Sequence, residues 1–441
     1  MPPPDRAEAL YRRFRHLAGQ FLLPGARVAV GFSGGLDSTV LLHLLQRVRQ
    51  EQSFTLQAFH LHHGLSPNAD AWLAFCADYC QQRAIPFSFE RAELDADAAD
   101  SLEARARQIR YAAYSRLGVD VVALGHHRDD QAETVLYRLA RGTGVHGAAG
   151  MPPHRPLAGG GQIWRPLLDE PRSILRDYAD SQALTWVEDE SNAELDYDRN
   201  YLRQRVMPAL LMRFPSAQAA MSRAARHFAE AAGLLDAIAE EDAQGAGVRL
   251  PVSRLAALAG ARQRNLLRWF LARHDVRPDE RQLLLLLDQL LNAREDANPT
   301  LRLGDRAVHR YRGEVWLAWH GAEVGDQLLP AGERVVLPAW HGQLLWQRHD
   351  MGLAPAACDG LWLRPRRGGE QIRPRAGGPN RQVKLLLQEA GIPPWLRSRW
   401  PLLWQGERLV AVAGIAVAAD SQADQGLWPA WRPADWPDFT G

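Results

Sequence analysis

The residues best placed to do chemistry begin at Ser33-Gly34-Gly35-Leu36-Asp37-Ser38, a knot of small residues that follows the apolar run Arg27–Phe32. Glycines let a backbone approach a ligand closely, and the free N–H groups of the helix start that follows favour an anion. Ser33 and Ser38 add hydroxyl donors. Two familiar phosphate loops are excluded: there is no G-x-x-x-x-G-K-[ST], and G-x-G-x-x-G does not fit. Asp37 would repel a bare anion, and a Mg²⁺ between its carboxylate and the phosphates reconciles the two. His60, His62 and His63 invite a metal reading. Strand alternation, however, puts His60 and His62 on one face and His63 on the other, and no cysteine or acidic partner is correctly spaced nearby. Neither zinc nor an iron–sulfur cluster is expected. Cys76 and Cys80, four apart among Trp72, Leu73, Phe75 and Tyr79, read as core packing on a helix face.

The elements that must position the loop alternate. Strands are predicted at Arg27–Phe32, Phe54–Leu61, Phe87–Phe89 and Asp120–Leu124. Helices are predicted at Ser38–Arg49, Asp70–Arg83, Ser101–Leu117 (with Ser101 as cap) and Asp130–Arg141. Pro153–Gln162 reads as a loop on its Pro and Gly content. This is the pattern of an α/β domain with a doubly wound parallel sheet, in which ligands sit beyond the C-terminal ends of the strands. A mostly helical part follows, through Ser216–Gln244, Arg262–Arg273 and Arg281–Ala293, with a hairpin pattern over Thr300–Trp319. A polar, Pro-rich stretch then leads to a small α+β part with one helix at Val383–Ala390. The expected domains are 1–215, 216–325 and 355–430.

At 441 residues, 46% hydrophobic and 23% charged, the chain is globular and too long for one ordinary core. No run of about 18 uncharged apolar residues suggests a membrane span. The N-terminus carries acidic residues and no apolar segment before a cleavage site, so a cytoplasmic protein is expected. A net charge of +1 excludes a globally basic protein, but the sign is unevenly distributed. Arg364, Arg366, Arg367, Arg373, Arg375, Arg381 and Lys384 stand against one nearby acid, Glu370, with Trp362 and Trp395 flanking them. That is a local basic patch of the kind phosphate-backbone binding requires; the alternative is a solvated charged loop. Lys384 is the only lysine. Arginine's planar fork suits phosphate, although a GC-rich genome gives the same bias.

S-G-G-x-D-S resembles the pyrophosphate-binding loop of the ATP pyrophosphatase (PP-loop) superfamily. This implies an adenine nucleotide alpha hydrolase-like fold for the N-terminal part. Phe59–Trp72, Ser101–Tyr111, Gly125–Gly144, Arg165–Leu168 and Trp186–Leu210 resemble the tRNA(Ile)-lysidine synthetase family, as does the arginine-rich C-terminal part. The resemblance covers nearly the whole chain. It implies that ATP adenylates O2 of the wobble cytidine, position 34, of the isoleucine tRNA with a CAU anticodon, releasing pyrophosphate. The ε-amine of free L-lysine then attacks C2 and expels AMP. The product, lysidine, pairs with A instead of G and changes the tRNA's identity from methionine to isoleucine.

On that resemblance Ser33, Gly34, Gly35, Leu36, Asp37 and Ser38 bind ATP, with Asp37 the magnesium partner. Asp130 and Glu133 lie three apart at a helix start and share a face. They would bind the lysine ammonium and help remove its proton, or simply complement the helix dipole. His126, ending a strand, would contact the phosphate or the transferred oxygen, and His127 is structural or peripheral. Family analogy has Arg110 steadying the phosphate or adenylate, with Arg107 three residues away on the same helix. Asp189, Glu190, Ser191, Asn192, Arg199, Asn200, Arg203 and Arg205 form a mixed-charge segment that borders the active site in the family. There Arg203 and Arg205 would contact RNA or adenylate; an ion-paired, solvated helix end is the plainer account. Arg366, Arg367, Arg373, Arg375 and Lys384 would position the tRNA rather than read its anticodon. A homodimer is compatible with the resemblance. A tRNA thiolase would need catalytic cysteines, and Cys76-x3-Cys80 has the wrong spacing. A small-molecule ligase would not need the basic tail. An RNA-binding protein with a dead loop is opposed by intact Ser33–Ser38, His126, Asp130 and Glu133.

Overall fold

The computed structural model describes residues 4–64, 66–92, 102–188, 190, 198–294, 299–321, 323–436 and 439. Ser101, Asp189, Ser191 and Asn192 lie outside the described residues. The chain forms two compact units, Met1–Leu234 and Leu235–Gly441.

In the first unit α1 (Pro4–Phe21) precedes β1 (Ala26–Gly31), α2 (Leu36–Val48), β2 (Phe54–His62), α3 (Ala69–Gln82) and β3 (Phe87–Arg91). Then come α4 (Leu102–Arg116), β4 (Val121–Ala123), α5 (Arg128–Ala140), the short α6 (Val145–Ala148), β5 (His154–Pro156), β6 (Gln162–Trp164) and α7 (Arg172–Ser181). The chain continues through α8 (Asp198–Tyr201), a π-helical turn at Leu202–Val206, α9 (Met207–Arg213) and the long α10 (Ala217–Ala243).

The six strands lie in the order β3-β2-β1-β4-β6-β5. β1 pairs in parallel with β2 from Ala26↔Phe54 to Gly31↔Phe59, and with β4 from Val28↔Val121 to Val30↔Ala123. The chain first winds from β1 towards β3, then returns to set β4 on the other flank of β1. The order therefore reverses between these two strands, and ligands of such sheets bind at that point. The doubly wound α/β expectation holds. Both faces of β1 are covered, so Val28, Ala29 and Val30 are all buried rather than alternating. The apolar side of α2 (Val40, Leu41, Leu44, Leu45, Val48) shares that core with Leu10 and Phe14 of α1 and Leu175 and Tyr178 of α7.

Pro153–Gln162 corrects one expectation. It is the greater part of an edge hairpin, with β5 antiparallel to β6 from His154↔Trp164 to Pro156↔Gln162. Gly159, Gly160 and Gly161, all at positive φ, build its turn. Two three-residue strands around a glycine turn are too short to show a period.

In the second unit, β7 (Leu250–Pro251), α11 (Val252–Ala256), α12 (Gly260–Ala272) and α13 (Glu280–Asn292) are followed by β8 (Thr300–Leu303), β9 (Arg306–Tyr311) and β10 (Glu314–Trp319). The sheet order is β7-β10-β9-β8. The stretch expected to be a polar separator instead carries strands at Gln327–Leu328, Arg334–Leu337 and Gly342–His349. Val335, Leu337, Trp340 and Leu344 from it enter the same core as Leu361, Trp400 and Trp431. The expected C-terminal helix is present at Val383–Glu389.

Candidate active site

Residues 32–38 cross from the end of β1 to the first turn of α2. Gly34 has φ +83°, and a Cβ there would lie 3.0 Å from Cys76 Sγ and 3.1 Å from a Val187 methyl, so only glycine fits. Val187 N donates to Gly34 O at 2.9 Å and fastens the loop from outside. Ser38 Oγ donates to Gly35 O at 3.0 Å and lies 3.1 Å from Ser33 Oγ. Gly35 caps α2 without a side-chain bond, which leaves the helix's leading N–H groups for an anion. Gly125, after β4, allows the second close approach. A Cβ there would lie 2.9 Å from the backbone carbon and oxygen of Asp37.

Asp37 Oδ2 is 3.6 Å from His127 Nε2, and Oδ1 is 3.6 Å from Arg172 Nε. Oδ1 is buried and accepts no hydrogen bond. An orphaned carboxylate oxygen beside a phosphate cradle suits Mg²⁺, a hard cation that takes oxygen ligands and is commonly shared with substrate phosphates.

His127 is structural, as expected, but it is central rather than peripheral. It is the N-cap of α5: its Nδ1 accepts from Asp130 N at 3.4 Å, and its own N–H donates to Asp130 Oδ2 at 3.1 Å. Its Nε2 lies 3.3 Å from Asp130 Oδ2 and so sits between two carboxylates. Burial alone would depress the His127 pKa, but Asp130 and Asp37 outweigh burial and raise it. The H-x-x-D spacing before the helix is the sequence signal for this cap. His126 behaves oppositely. Burial pushes its pKa down to about 3 despite Asp130, so the ring is neutral, and its Nδ1 is buried without a hydrogen-bond partner.

Asp130 and Glu133 both face inward and share one guanidinium. Arg203 Nε donates to Glu133 Oε1, and its Nη2 to Glu133 Oε2 and Asp130 Oδ1, all at 2.8 Å. Burial raises the Glu133 pKa and Arg203 only partly offsets it. Burial would also raise that of Asp130, but His127, His126 and Arg203 hold it below the usual range. Arg203 comes from the π-helical turn, a rare form that recurs at functional sites. Its neighbour Arg205 is exposed, and Arg199 Nη2 donates to Thr134 Oγ1 at 3.3 Å. Arg110 Nη2 lies 3.2 Å from His63 Nε2, and Arg107 Nη2 donates to Tyr111 Oη at 3.4 Å.

Partners that looked absent for the histidines come from α3. Cys76 Sγ is 3.6 Å from His60 Nδ1, and Asp70 Oδ1 is 3.2 Å from His62 Nε2. These remain pairs: among the described residues no three His, Cys, Asp or Glu converge as a metal cluster. Cys76 and Cys80 are fully buried, and burial pushes both thiols up, Cys80 to about 11.

The C-terminal basic patch is more neutralised than its local sequence suggests. Arg367 Nη2 donates to Asp326 Oδ1 at 2.8 Å, and Arg364 pairs with Asp326 at 3.6 Å and Glu407 at 3.4 Å. Arg366 lies 3.9 Å from Glu370, Arg381 pairs with Glu389, and Arg373 donates to Asn380 Oδ1 at 3.2 Å. Arg375 and Lys384 are exposed. One face of the Trp395 ring is taken up by His309, stacked at 3.9 Å.

A glycine cradle at the switch point of a doubly wound sheet, with a carboxylate in the first turn of the next helix, defines a PP-loop nucleotide-binding domain. The family model of that name, "PP-loop domain", matches residues 7–210. Two more, "TilS substrate binding domain" and "TilS substrate C-terminal domain", match residues 250–316 and 361–431. The tRNA(Ile)-lysidine synthase of Chromobacterium violaceum is 43% identical over 92% of this chain and 95% of its own. That of Nitrosomonas europaea is 38% identical over 96% and 95%. The chain belongs to the tRNA(Ile)-lysidine synthase family.

Proposed function

We propose that this chain ligates free L-lysine to C2 of the wobble cytidine of the CAU-anticodon isoleucine tRNA, at the cost of ATP. The observation that carries the reading is one continuous line of side chains. Asp37, at the phosphate cradle, faces His127; His127 faces Asp130; and Asp130 shares Arg203 with Glu133. A phosphate end and an amine end are thereby joined in one site.

Ser33–Ser38 and the first N–H groups of α2 cradle the departing pyrophosphate. Asp37 would hold the Mg²⁺ that accompanies ATP, which supplies charge neutralisation at the phosphates. The cytosine O2 attacks the α-phosphorus; an O–P bond forms and pyrophosphate leaves. Neutral His126 offers a ring nitrogen to the transferred oxygen or phosphate. The lysine ammonium takes the place of the Arg203 guanidinium between Asp130 and Glu133, one cation for another. Glu133, whose basicity burial has raised, takes the proton. The free amine then attacks C2, the C2–O bond breaks, and AMP leaves with the oxygen. Residues 1–215 do this chemistry. The mostly helical part (216–325) and the basic C-terminal part (355–430) hold the tRNA, with exposed Arg375 and Lys384 on its backbone.

The test supplies the full chain with ATP, Mg²⁺, labelled lysine and that tRNA. Pyrophosphate release and label in the tRNA are expected. Use of a sulfur donor with lysine ignored would overturn the lysidine reading, and uncleaved ATP would overturn any ligase reading.

A further inference from the structure

We infer that Arg107, Arg155 and Arg165, gathered about Tyr111, form a second phosphate-binding site, separate from the cradle at Ser33–Ser38. The Arg155 guanidinium carbon lies 4.2 Å from the centre of the Tyr111 ring, and that of Arg107 lies 5.1 Å away. Arg165 Nη2 donates to Tyr111 Oη at 3.1 Å, and Arg107 Nη2 donates to the same oxygen at 3.4 Å. Arg165 is only 2% exposed, and its guanidinium also donates from Nη1 to Pro152 O at 2.8 Å. The Nε groups of both Arg155 and Arg165 are buried without any partner.

Among the described residues no carboxylate pairs with these three arginines. Elsewhere in the same unit the pattern is the reverse: Arg13 has Glu170, Arg27 has Asp120, and Arg203 has two acids. Three guanidinium groups around one phenol repel one another, and a ring face offsets only part of that. Two buried N–H donors without acceptors add a desolvation cost. The tyrosine registers the excess charge, since its pKa is lowered although burial would raise it. One oxyanion with several acceptor oxygens would satisfy the free donors and balance the charge together.

The fold sets this cluster apart from the first phosphate loop. That loop leaves β1, whereas Arg155 lies on β5 and Arg165 follows β6. β1 and β6 are the two neighbours of β4, which leads to His126. Resting on the proposed reaction, the oxyanion is a phosphodiester of the RNA near the target cytidine or the α-phosphate of the nucleotide.

The test uses Arg155→Gln and, separately, Arg107→Gln in the full chain; both side chains reach solvent. The Kd for tRNA is measured over a salt series, and the Kd for Mg·ATP and the Tm alongside. Each variant should keep its Tm, bind tRNA about tenfold more weakly at low salt, and show a log–log salt slope shallower by about 0.7–0.9. ATP affinity should be unchanged if the RNA is the source. ATP weakened with the tRNA slope intact would also support the site and assign it to the nucleotide. Unchanged binding of both ligands, or losses that only follow a fallen Tm, would overturn it. The wild-type chain's own tRNA binding and lysine incorporation test the reaction separately.

Discussion

Asp37 faces His127 and Arg172, yet its Oδ1 accepts a hydrogen bond from neither. Asp37→Ala should abolish pyrophosphate release while leaving the Kd for tRNA nearly unchanged; lost tRNA binding would mean the loop serves the RNA instead. Arg203 is the residue whose role was least legible. Its sequence neighbourhood reads as a solvated, ion-paired helix end, and its acids lie 70 and 73 residues away. Asp130 and Glu133 were legible as a pair sharing a face, but the guanidinium between them was not. Arg203→Ala leaves a Glu133 side chain that is 4% exposed without its cation. Because Arg203 itself is 35% exposed, the expected loss is about 2 kcal/mol, below the range for a fully buried pair. Urea unfolding of R203A, E133A and the double variant checks this. The double variant should recover part of the loss, because the uncompensated carboxylate is gone.

At the scale of elements, two contacts fix the site: β4 against the start of α2, and the cap of α5. Gly125→Ala would drive a methyl into the Asp37 backbone, which cannot rotate away as a side chain could. A shift of about 1 Å at a reacting centre can cost about 100-fold in rate. G125A should therefore lose adenylation by roughly that factor, seen in the pyrophosphate-release rate, while tRNA binding persists. Next to the α5 cap, Asp130 and Asp37 raise the His127 pKa, so the folded chain holds the imidazolium more tightly than the unfolded one, although protonating Nδ1 gives up the long 3.4 Å cap bond from Asp130 N. The stabilisation is complete below the unfolded value of about 6.5 and is lost as pH rises through the native value. Asn can also cap, so the Tm difference between wild type and His127→Asn should shrink as pH rises from below 6.5 through the raised native value. A difference independent of pH would contradict this. The main strands and crossover helices were legible because their apolar periods are long. The β5–β6 hairpin was not, since three-residue strands show no period and the glycines of its turn dominate its composition.

For the whole molecule, charge was readable in sum but not in distribution. A local count around Arg364–Lys384 finds one acid, whereas the fold also brings Asp326, Glu389 and Glu407 to those arginines. On the proposed reading, in which this patch holds the tRNA backbone, the side chains not engaged in ion pairs carry the contact. Arg375→Glu with Lys384→Glu should reduce tRNA affinity about tenfold or more and flatten its salt slope by about two phosphate contacts, with ATP affinity intact. An unchanged slope would remove these two residues from the RNA surface. Among the described residues no helix is long and apolar enough to cross a membrane. The central claim is that one site adenylates a cytidine and then spends the adenylate on lysine. The most direct measurement supplies ATP labelled at the α-phosphate and the CAU isoleucine tRNA, first without lysine. Label should accumulate on the tRNA and leave as AMP when lysine is added. No label on the tRNA, or label released equally well without lysine, would contradict the account.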